Sequence, residues 1–263
     1  MQKGLKMNIH QIKTVLDKIA PIETQSDWDN SGVQICFGPK NIKKILVALE
    51  INDAVIDEAV SLKADMIVTH HPLIFNPIKS LHFCKAETRY VMRLIQENIV
   101  VYSSHTPFDI AKGGNTDYLL KLLGVKNIKI VPGTDSFLKV GSLSKVTTLG
   151  EFAYKVAKVL NLDGLKFTGE ADKKIKNVSC CTGAGGEFWL QSVGVADVLV
   201  TGDVKHHEGG FANDSGLAII DAGHWGTEQI FVPNMANQLK SKLGTGVKII
   251  ESKVNQDPFN FMV

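Results

Sequence analysis

The segment ADMIVT at residues 64–69 is the key to the expected fold, because it resembles a buried strand and recurs as ADVLVT at residues 196–201. The two segments are identical at four of six positions and exchange apolar residues at the other two. Upstream, IKKI at residues 42–45 resembles IKNV at residues 175–178, and these markers begin 22 and 21 residues before the two segments. Similar markers in the same order predict an internal duplication.

Strands and helices alternate around the first of these segments. Besides residues 66–69, the apolar runs ILVALE at residues 45–50 and IVVYS at residues 99–103 predict strands. Asn52 is a suitable N-cap for a helix that ends near Leu62. Alternation at this spacing is typical of βαβ units with a parallel sheet.

The expected fold class is therefore α/β, with two similar lobes and mainly parallel sheets. We place the lobes at about residues 1–130 and 131–263, because the less regular region that begins near residue 126 separates the two repeats. Two related βαβ halves would present their strand ends toward a shared crevice, which is where open α/β sheets usually bind ligands.

The composition is that of an ordinary globular protein, with 44% hydrophobic and 21% charged residues and a formal net charge of +2. Such a balance gives no reason to expect nucleic acid or an anionic membrane as a partner. No run approaches the ~18 apolar residues of a membrane span, and the N-terminus lacks the apolar core of a signal peptide. The four cysteines form no CxxC pair. We therefore expect a cytoplasmic protein.

Two adjacent histidines, His70 and His71, follow the first segment directly and precede Pro72. The proline restricts His71 to an extended backbone, and neighbouring side chains of an extended chain point to opposite sides. The pair therefore suits two different metal ions. The alternative is a pair of hydrogen-bonded loop histidines without a ligand.

Two further groups combine a histidine with a carboxylate four residues later. His105 and Asp109 follow one predicted strand, and His224 and Glu228 follow the run LAIIDAG. If a helix begins near Trp225, His224 and Glu228 share one of its faces. Imidazole and carboxylate are ligands that suit zinc, manganese and iron. In the structural alternative, Asp109 caps a turn and His105 packs in the core.

All three groups follow β-type runs, and this places them at the same edge of the predicted fold. Histidines and carboxylates collected at one edge can hold two cations, because one carboxylate bridges ions that lie ~3.5–4 Å apart. We therefore expect a metal site rather than a purely structural role.

A third pair of histidines and a glycine-rich loop have less certain roles. His206 and His207 follow the second repeat in the segment VLVTGDVKHHE, and they could be metal ligands, partners of the ligands or substrate contacts. The loop TGAGGE at residues 182–187 contains Gly185 and lies between a strand and a predicted helix. Glycines there let backbone N–H groups approach an anion at a helix N-terminus, and a tight turn explains them equally well.

Five motifs resemble those of the Nif-three-like dinuclear-metal family, whose members are commonly named GTP cyclohydrolase 1 type 2 homologues. They are WDNSG (residues 28–32), THHP (69–72), SHT (104–106), TGDVKHH (201–207) and DAGHWGTE (221–228). The likeness extends from about Met7 to Phe261. It implies two similar α/β lobes with a metal pair in the cleft between them, and a chain of this length lacks the extra domain that some relatives carry.

The resemblance also implies a ligand set for two divalent metal ions. The matching positions are His70, His71, Asp109, His224 and Glu228. Glu228 would be the bridge. His105 matches a position beside the metals and is the candidate for general acid–base work, since imidazole titrates near neutral pH. His206 and His207 match a motif that lines the same cleft. These ligand types accept zinc, manganese, iron, cobalt or nickel, so the native metal stays open.

The function we expect is hydrolysis of a nucleotide or another phosphorylated small molecule by a metal-dependent enzyme, including GTP cyclohydrolase-like opening of a guanine ring. The alternative is a non-catalytic, metal-stabilised scaffold or regulatory protein. The resemblance implies a homohexameric ring whose metal sites face an internal cavity.

Overall fold

The computed structural model describes residues 7–38, 40–255 and 257–260. The chain divides into two compact units. The first contains the described residues of Met1–Ala111 and Phe231–Gln256, and the second contains those of Lys112–Ile230 and Asp257–Val263. The division after Ala111 lies well before the boundary that we expected near residue 130, and the chain returns to the first unit at Phe231.

The first unit has a main sheet of five strands, most of them parallel. The strands of the whole first unit, of which β1 and β3 lie outside the main sheet, are β1 (Met7–Asn8), β2 (Gly32–Ile35), β3 (Asn41–Ile42), β4 (Lys44–Ala48), β5 (Met66–Thr69), β6 (Val100–Ser103) and β13 (Lys248–Glu251). Its helices are α1 (Ile9–Ile19), α2 (Asp53–Leu62), α3 (Ala86–Gln96), α4 (Thr106–Ile110) and α10 (Phe231–Leu243). The order in the main sheet is β13-β4-β5-β6-β2, with β2 antiparallel to its neighbour. The predicted α/β fold with a mainly parallel sheet is confirmed in this unit.

The three central strands of this sheet are buried, as their apolar sequences require. Helix α2 begins where the sequence indicated, because the Asn52 side chain accepts a hydrogen bond from the Val55 amide at 2.9 Å. One core contains Leu46, Ile56 and Ile67 from strand and helix. This core fixes the strand ends from which the functional side chains project.

The second unit has a six-stranded mixed sheet. Its strands are β7 (Lys126–Ile130), β8 (Lys139–Thr148), β9 (Lys166–Phe167), β10 (Lys174–Ala184), β11 (Val198–Gly202) and β12 (Ala218–Asp221). Its helices are α5 (Asn115–Leu122), α6 (Leu149–Leu160), α7 (Trp189–Ser192), α8 (His206–Asp214) and α9 (His224–Glu228). The order is β7-β8-β10-β11-β12-β9, in which β10, β11 and β12 are parallel and the outer pairings are antiparallel.

The unit boundary follows from where apolar side chains are buried. Leu119 and Leu120 of α5 lie in the same core as Phe152 and Val178, so the chain already belongs to the second unit when α5 begins. After the second unit the chain returns to the first, because β13 pairs with β4 and places Ile250 opposite Leu46.

Both units contain the same arrangement around the repeated segments. The Asp65 carboxylate accepts hydrogen bonds from the amides of Lys43 and Lys44, at 2.8 and 3.0 Å. The Asp197 carboxylate likewise accepts from two successive amides that precede its own strand, at 2.8 and 2.7 Å. Each aspartate ties the start of one parallel strand to the next. These shared contacts are what a duplication would produce, and the duplication itself stays a prediction.

No helix in the described part of the chain is long and apolar enough to cross a membrane.

Candidate metal centre

His70 and His71 lie in a bend directly after β5. Both backbone amides donate to the carbonyl oxygen of Leu49, at 2.9 and 3.0 Å. This shared acceptor curls the chain, so the expectation of an extended segment with diverging imidazoles was wrong. The two ring centroids lie 5.1 Å apart, with His70 fully buried and His71 partly exposed.

His105 completes a group of three imidazoles in the first unit. Its ring centroid lies 5.1 Å from that of His70 and 5.6 Å from that of His71. One ligand nitrogen from each histidine lies within 4.8 Å of the other two, so this group could hold a metal ion. His105 is therefore as well placed for ligation as for the acid–base role inferred from the sequence.

An oxygen acceptor orients each of these three rings. The Nδ1 atom of His70 lies 3.0 Å from the carbonyl oxygen of Ser104, and that of His71 lies 3.2 Å from Oε2 of Glu50. Because a carbonyl oxygen can only accept, Nδ1 of His70 carries a proton, which leaves Nε2 as the nitrogen that could bind a metal ion. Histidines that bind metals typically donate their second ring N–H to such an oxygen.

The third acceptor is Asp29, which lies 2.9 Å from Nδ1 of His105. Its buried carboxylate also accepts from the hydroxyl groups of Thr106 and Ser31, at 2.6 and 2.7 Å. Burial alone would raise the pKa of Asp29, but the hydrogen bonds from His105, Thr106 and Ser31 outweigh it and hold the pKa well below its ordinary range. Asp29 is thus an ionised, fixed acceptor for the His105 ring.

Asp109 is buried in the short helix α4 that follows His105. Its Oδ1 atom lies 3.5 Å from Nε2 of His70. The helix carries Pro107 in its first turn, which is a favourable position for proline because no intrahelical donor is lost there. The first unit therefore collects the predicted His70, His71, His105 and Asp109.

The second unit collects the other two predicted ligands, His224 and Glu228. They lie one turn apart in α9, with Nε2 of His224 3.0 Å from Oε2 of the buried Glu228. Nδ1 of His224 lies 2.7 Å from the Asp203 carboxylate. The hydrogen bond to Glu228 raises the pKa of His224 to about 9 against the opposing effect of burial, and Asp203 adds to the rise.

The glycine-rich loop makes room for these side chains. Gly183 has a φ of +70°, its amide donates to the hydroxyl of Thr227 at 2.9 Å, and a Cβ atom there would overlap Oε1 of Glu228. A Cβ at Gly185 would lie 2.5 Å from the hydroxyl oxygen of Thr201. Close packing therefore requires these glycines, which favours the tight-turn interpretation of the loop over the phosphate-binding one.

His206 and His207 begin helix α8. His206 lines a cavity of about 530 Å³ in the second unit, together with Lys166, Phe167 and Lys205. The ring of His207 lies against that of Phe211, with centroids 6.4 Å apart. A contact with substrate or with the ligands stays a prediction for both histidines.

The acceptors Glu50, Asp29 and Asp203 were not identified from the sequence. Each lies in a segment that the sequence analysis names for another reason. Glu50 ends the ILVALE run, Asp29 belongs to WDNSG and Asp203 belongs to TGDVKHH. The available signal was a carboxylate next to a strand end. Their pairing with particular histidines depends on contacts between residues at least 21 positions apart.

Comparisons with known proteins identify the family of the chain. The model of the family Duf34/NIF3 (NGG1p interacting factor 3) matches residues 7–258. A GTP cyclohydrolase 1 type 2 homolog of Clostridium perfringens is 32% identical over 263 residues, covering 97% of this chain and 100% of that protein. The Protein NIF3 homolog of Schizosaccharomyces pombe is 30% identical, covering 98% of this chain and 99% of that protein.

A solved structure has the same fold. The Bacillus cereus protein related to NIF3 superimposes with a TM-score of 0.91 at 25% identity, covering 97% of this chain and 99% of that one. The resemblance inferred from the five motifs is confirmed, and the chain belongs to the Duf34/NIF3 family.

Proposed function

We propose that this protein binds two divalent metal ions and uses them to hydrolyse a nucleotide or another phosphorylated small molecule. The observation that carries the proposal is the common orientation of four imidazoles, those of His70, His71, His105 and His224. In each ring Nδ1 is held by a carbonyl or carboxylate oxygen, which makes Nε2 the nitrogen that a metal ion or a proton would take. In the metal-free protein Nε2 of His224 donates to Glu228, and a bound cation would replace that proton.

The donor set suits divalent metal ions. Buried Asp109 lies next to Nε2 of His70, and buried Glu228 lies next to Nε2 of His224. Carboxylates buried beside imidazole nitrogens are costly unless a cation or a proton neutralises them. Mixed nitrogen and oxygen donors accept zinc, manganese, iron, cobalt or nickel. We propose that these donors hold the two ions, with Glu228 as the bridging carboxylate.

In this proposal the residues divide the work between binding and proton transfer. Divalent ions, when bound, supply Lewis acidity that polarises the bond to be cleaved and makes water more acidic. His105 accepts the proton of the attacking water at Nε2, since its Nδ1–H donates to Asp29. The ionised Asp29 stabilises the imidazolium that forms. The names of the bacterial relatives support GTP as the first substrate to test.

The test combines metal analysis with a turnover screen. Protein stripped with a chelator and reloaded is expected to bind two ions per chain and to convert GTP or another nucleotide. His71→Ala and Glu228→Ala should each lose metal and turnover, whereas His105→Ala should keep its metal and lose turnover. His10→Ala, on the exposed face of α1, is the matched control. Turnover by metal-free protein would refute the mechanism.

The same variants test whether both units serve one centre. If His71 and Glu228 bind a shared pair of ions, the double variant should lose little more metal affinity than either single variant. Additive losses would indicate separate sites. Two bound ions without turnover of any nucleotide would favour the scaffold alternative. The hexameric ring stays a prediction of the resemblance, and the cytoplasmic location stays a prediction from the sequence composition.

A further inference from the structure

Two large aromatic side chains are exposed beside the three imidazoles of the first unit. Trp28 is 59% and Phe75 is 44% exposed. Their ring centroids lie 6.2 Å apart with the planes tilted by 44°. The edge contact between Trp28 and His105 has a centroid distance of 5.8 Å and an interplanar angle of 78°. The exposed indole therefore lies against the imidazole that we propose as the base.

Hydrogen bonds hold the residue next to each of these aromatic side chains. The Asn30 side chain donates to the carbonyl oxygen of Ile74 at 2.5 Å, and the Ile74 amide donates to Oε1 of Gln34 at 3.0 Å. Ile74 is the residue before Phe75, so both of its backbone polar groups are fixed. Trp28 precedes Asp29, whose carboxylate is held by several hydrogen bonds. The residues next to both aromatic side chains are thus held in place, which limits the backbone entropy lost when a ligand binds.

We propose that Trp28 and Phe75 form a stacking subsite for the planar heteroaromatic ring of the substrate. The inference rests on the proposed function and names the part of the substrate that this surface recognises. A planar ring fits because an aromatic side chain stacks on the π-face of any nucleobase. Contact of Trp28 with His105 would place the bound ring beside the proton acceptor.

Each polar residue of the WDNSG motif contributes a contact to this subsite or to the proposed base. Asp29 orients His105, and Asn30 fixes the segment that carries Phe75. The Ser31 hydroxyl donates to Asp29 at 2.7 Å and accepts from the backbone amide of His105 at 3.0 Å. One loop thereby contributes both to the stacking surface and to the contacts that hold the proposed base.

The subsite can be tested by 19F NMR of the full chain labelled with 5-fluorotryptophan. The chain contains three tryptophans, and Trp28→Phe assigns the resonance of interest. In chelator-treated protein, guanosine and GMP are expected to shift the Trp28 resonance saturably, whereas ribose 5-phosphate, which has no ring system of this kind, should not. Trp189 is the internal control, because it pairs with Phe211 at 6.1 Å in the other unit.

Affinity measurements complete the test. Calorimetry should show that Trp28→Ala weakens GMP binding by roughly 5- to 150-fold, the range expected for one lost stacking contact. Trp28→Phe should retain most of the affinity, and Trp189→Ala should bind GMP like the wild type. Equal shifts with ribose 5-phosphate, or wild-type affinity in Trp28→Ala, would overturn the subsite. So would a changed oligomeric mass of Trp28→Ala with unchanged GMP affinity, which would assign the surface to contacts between copies.

The outcome also separates this inference from the function on which it rests. Ring-dependent binding at Trp28 in a protein that turns over no nucleotide would refute the hydrolase and leave the subsite standing. Metal-dependent turnover with an unchanged kcat/KM in Trp28→Ala would remove the subsite and leave the hydrolase standing.

Discussion

Replacing Gly183 by alanine should damage both folding and metal binding. The added Cβ would overlap Oε1 of Glu228 and lie 3.1 Å from its Cδ and 3.3 Å from Nε2 of His224. Glu228 is almost fully buried and cannot turn outward freely. The φ of +70° costs about 1–2 kcal/mol for any L side chain. Displacing the Glu228–His224 hydrogen bond costs about 1.5 kcal/mol. This is the low end of the range for hydrogen bonds to charged groups, and it applies because the His224 side chain is 37% exposed to solvent.

The Gly194→Ala variant separates the two costs. Gly194 has a similar φ of +78°, but a Cβ there meets no atom within 4 Å. Urea unfolding of metal-free protein should show a loss of about 3 kcal/mol for Gly183→Ala and about 1–2 kcal/mol for Gly194→Ala. Competition with a chelator should show a metal affinity 10- to 100-fold weaker in Gly183→Ala alone. Equal stability losses, with unchanged metal affinity in both variants, would refute the reasoning.

Four further substitutions test the hydrogen bonds of individual carboxylates. The His224 imidazole of metal-free protein should titrate near pH 9 by NMR, and Glu228→Gln should lower that pKa. Since the pKa of His224 in the folded protein lies above the ordinary 6.5, the stabilisation from its hydrogen bond to Glu228 is complete below pH 6.5. It is lost as the pH rises through 9. Asp29→Asn should cost about 1–3 kcal/mol in urea unfolding, because a buried acceptor of several hydrogen bonds loses its charge; a loss under 0.5 kcal/mol would contradict this. Asp65→Asn and Asp197→Asn should each lower the free energy of unfolding, measured in urea, by about 1 kcal/mol. An unchanged free energy of unfolding in either variant would show that its two amide contacts do not contribute to stability.

The sequence predicted the central part of the first unit well. The run at residues 66–69 is strand β5, the Asn52 cap begins α2, and the runs around residues 45–50 and 99–103 contain β4 and β6. These elements are determined locally, by apolar runs and by a capping side chain that bonds three residues ahead. Local patterns also placed the candidate ligands at strand ends, where the structure has them.

The unit boundary and the imidazole orientations could not be predicted in this way. Helix α5 has the same amphipathic pattern whichever core it joins, and only its burial with Phe152 assigns it to the second unit. Strand β13 returns to pair with β4 after nearly 200 residues. Asp29 and His105, 76 positions apart, meet because β2 pairs with β6. Tertiary pairing decides such contacts, and no local pattern encodes it.

The two units carry different chemistry at corresponding strand ends. In the first unit the end of β5 supplies the imidazoles His70 and His71, and the end of β6 supplies His105. In the second unit the end of β11 supplies an acceptor, Asp203, and the end of β12 supplies the imidazole His224 that it orients. The registers Thr69 opposite Ser103 and Thr201 opposite Asp221 put His224 level with Thr106 rather than with His105. The two units therefore share a backbone that brings strand ends together, and each distributes candidate ligands and acceptors over those ends in its own way.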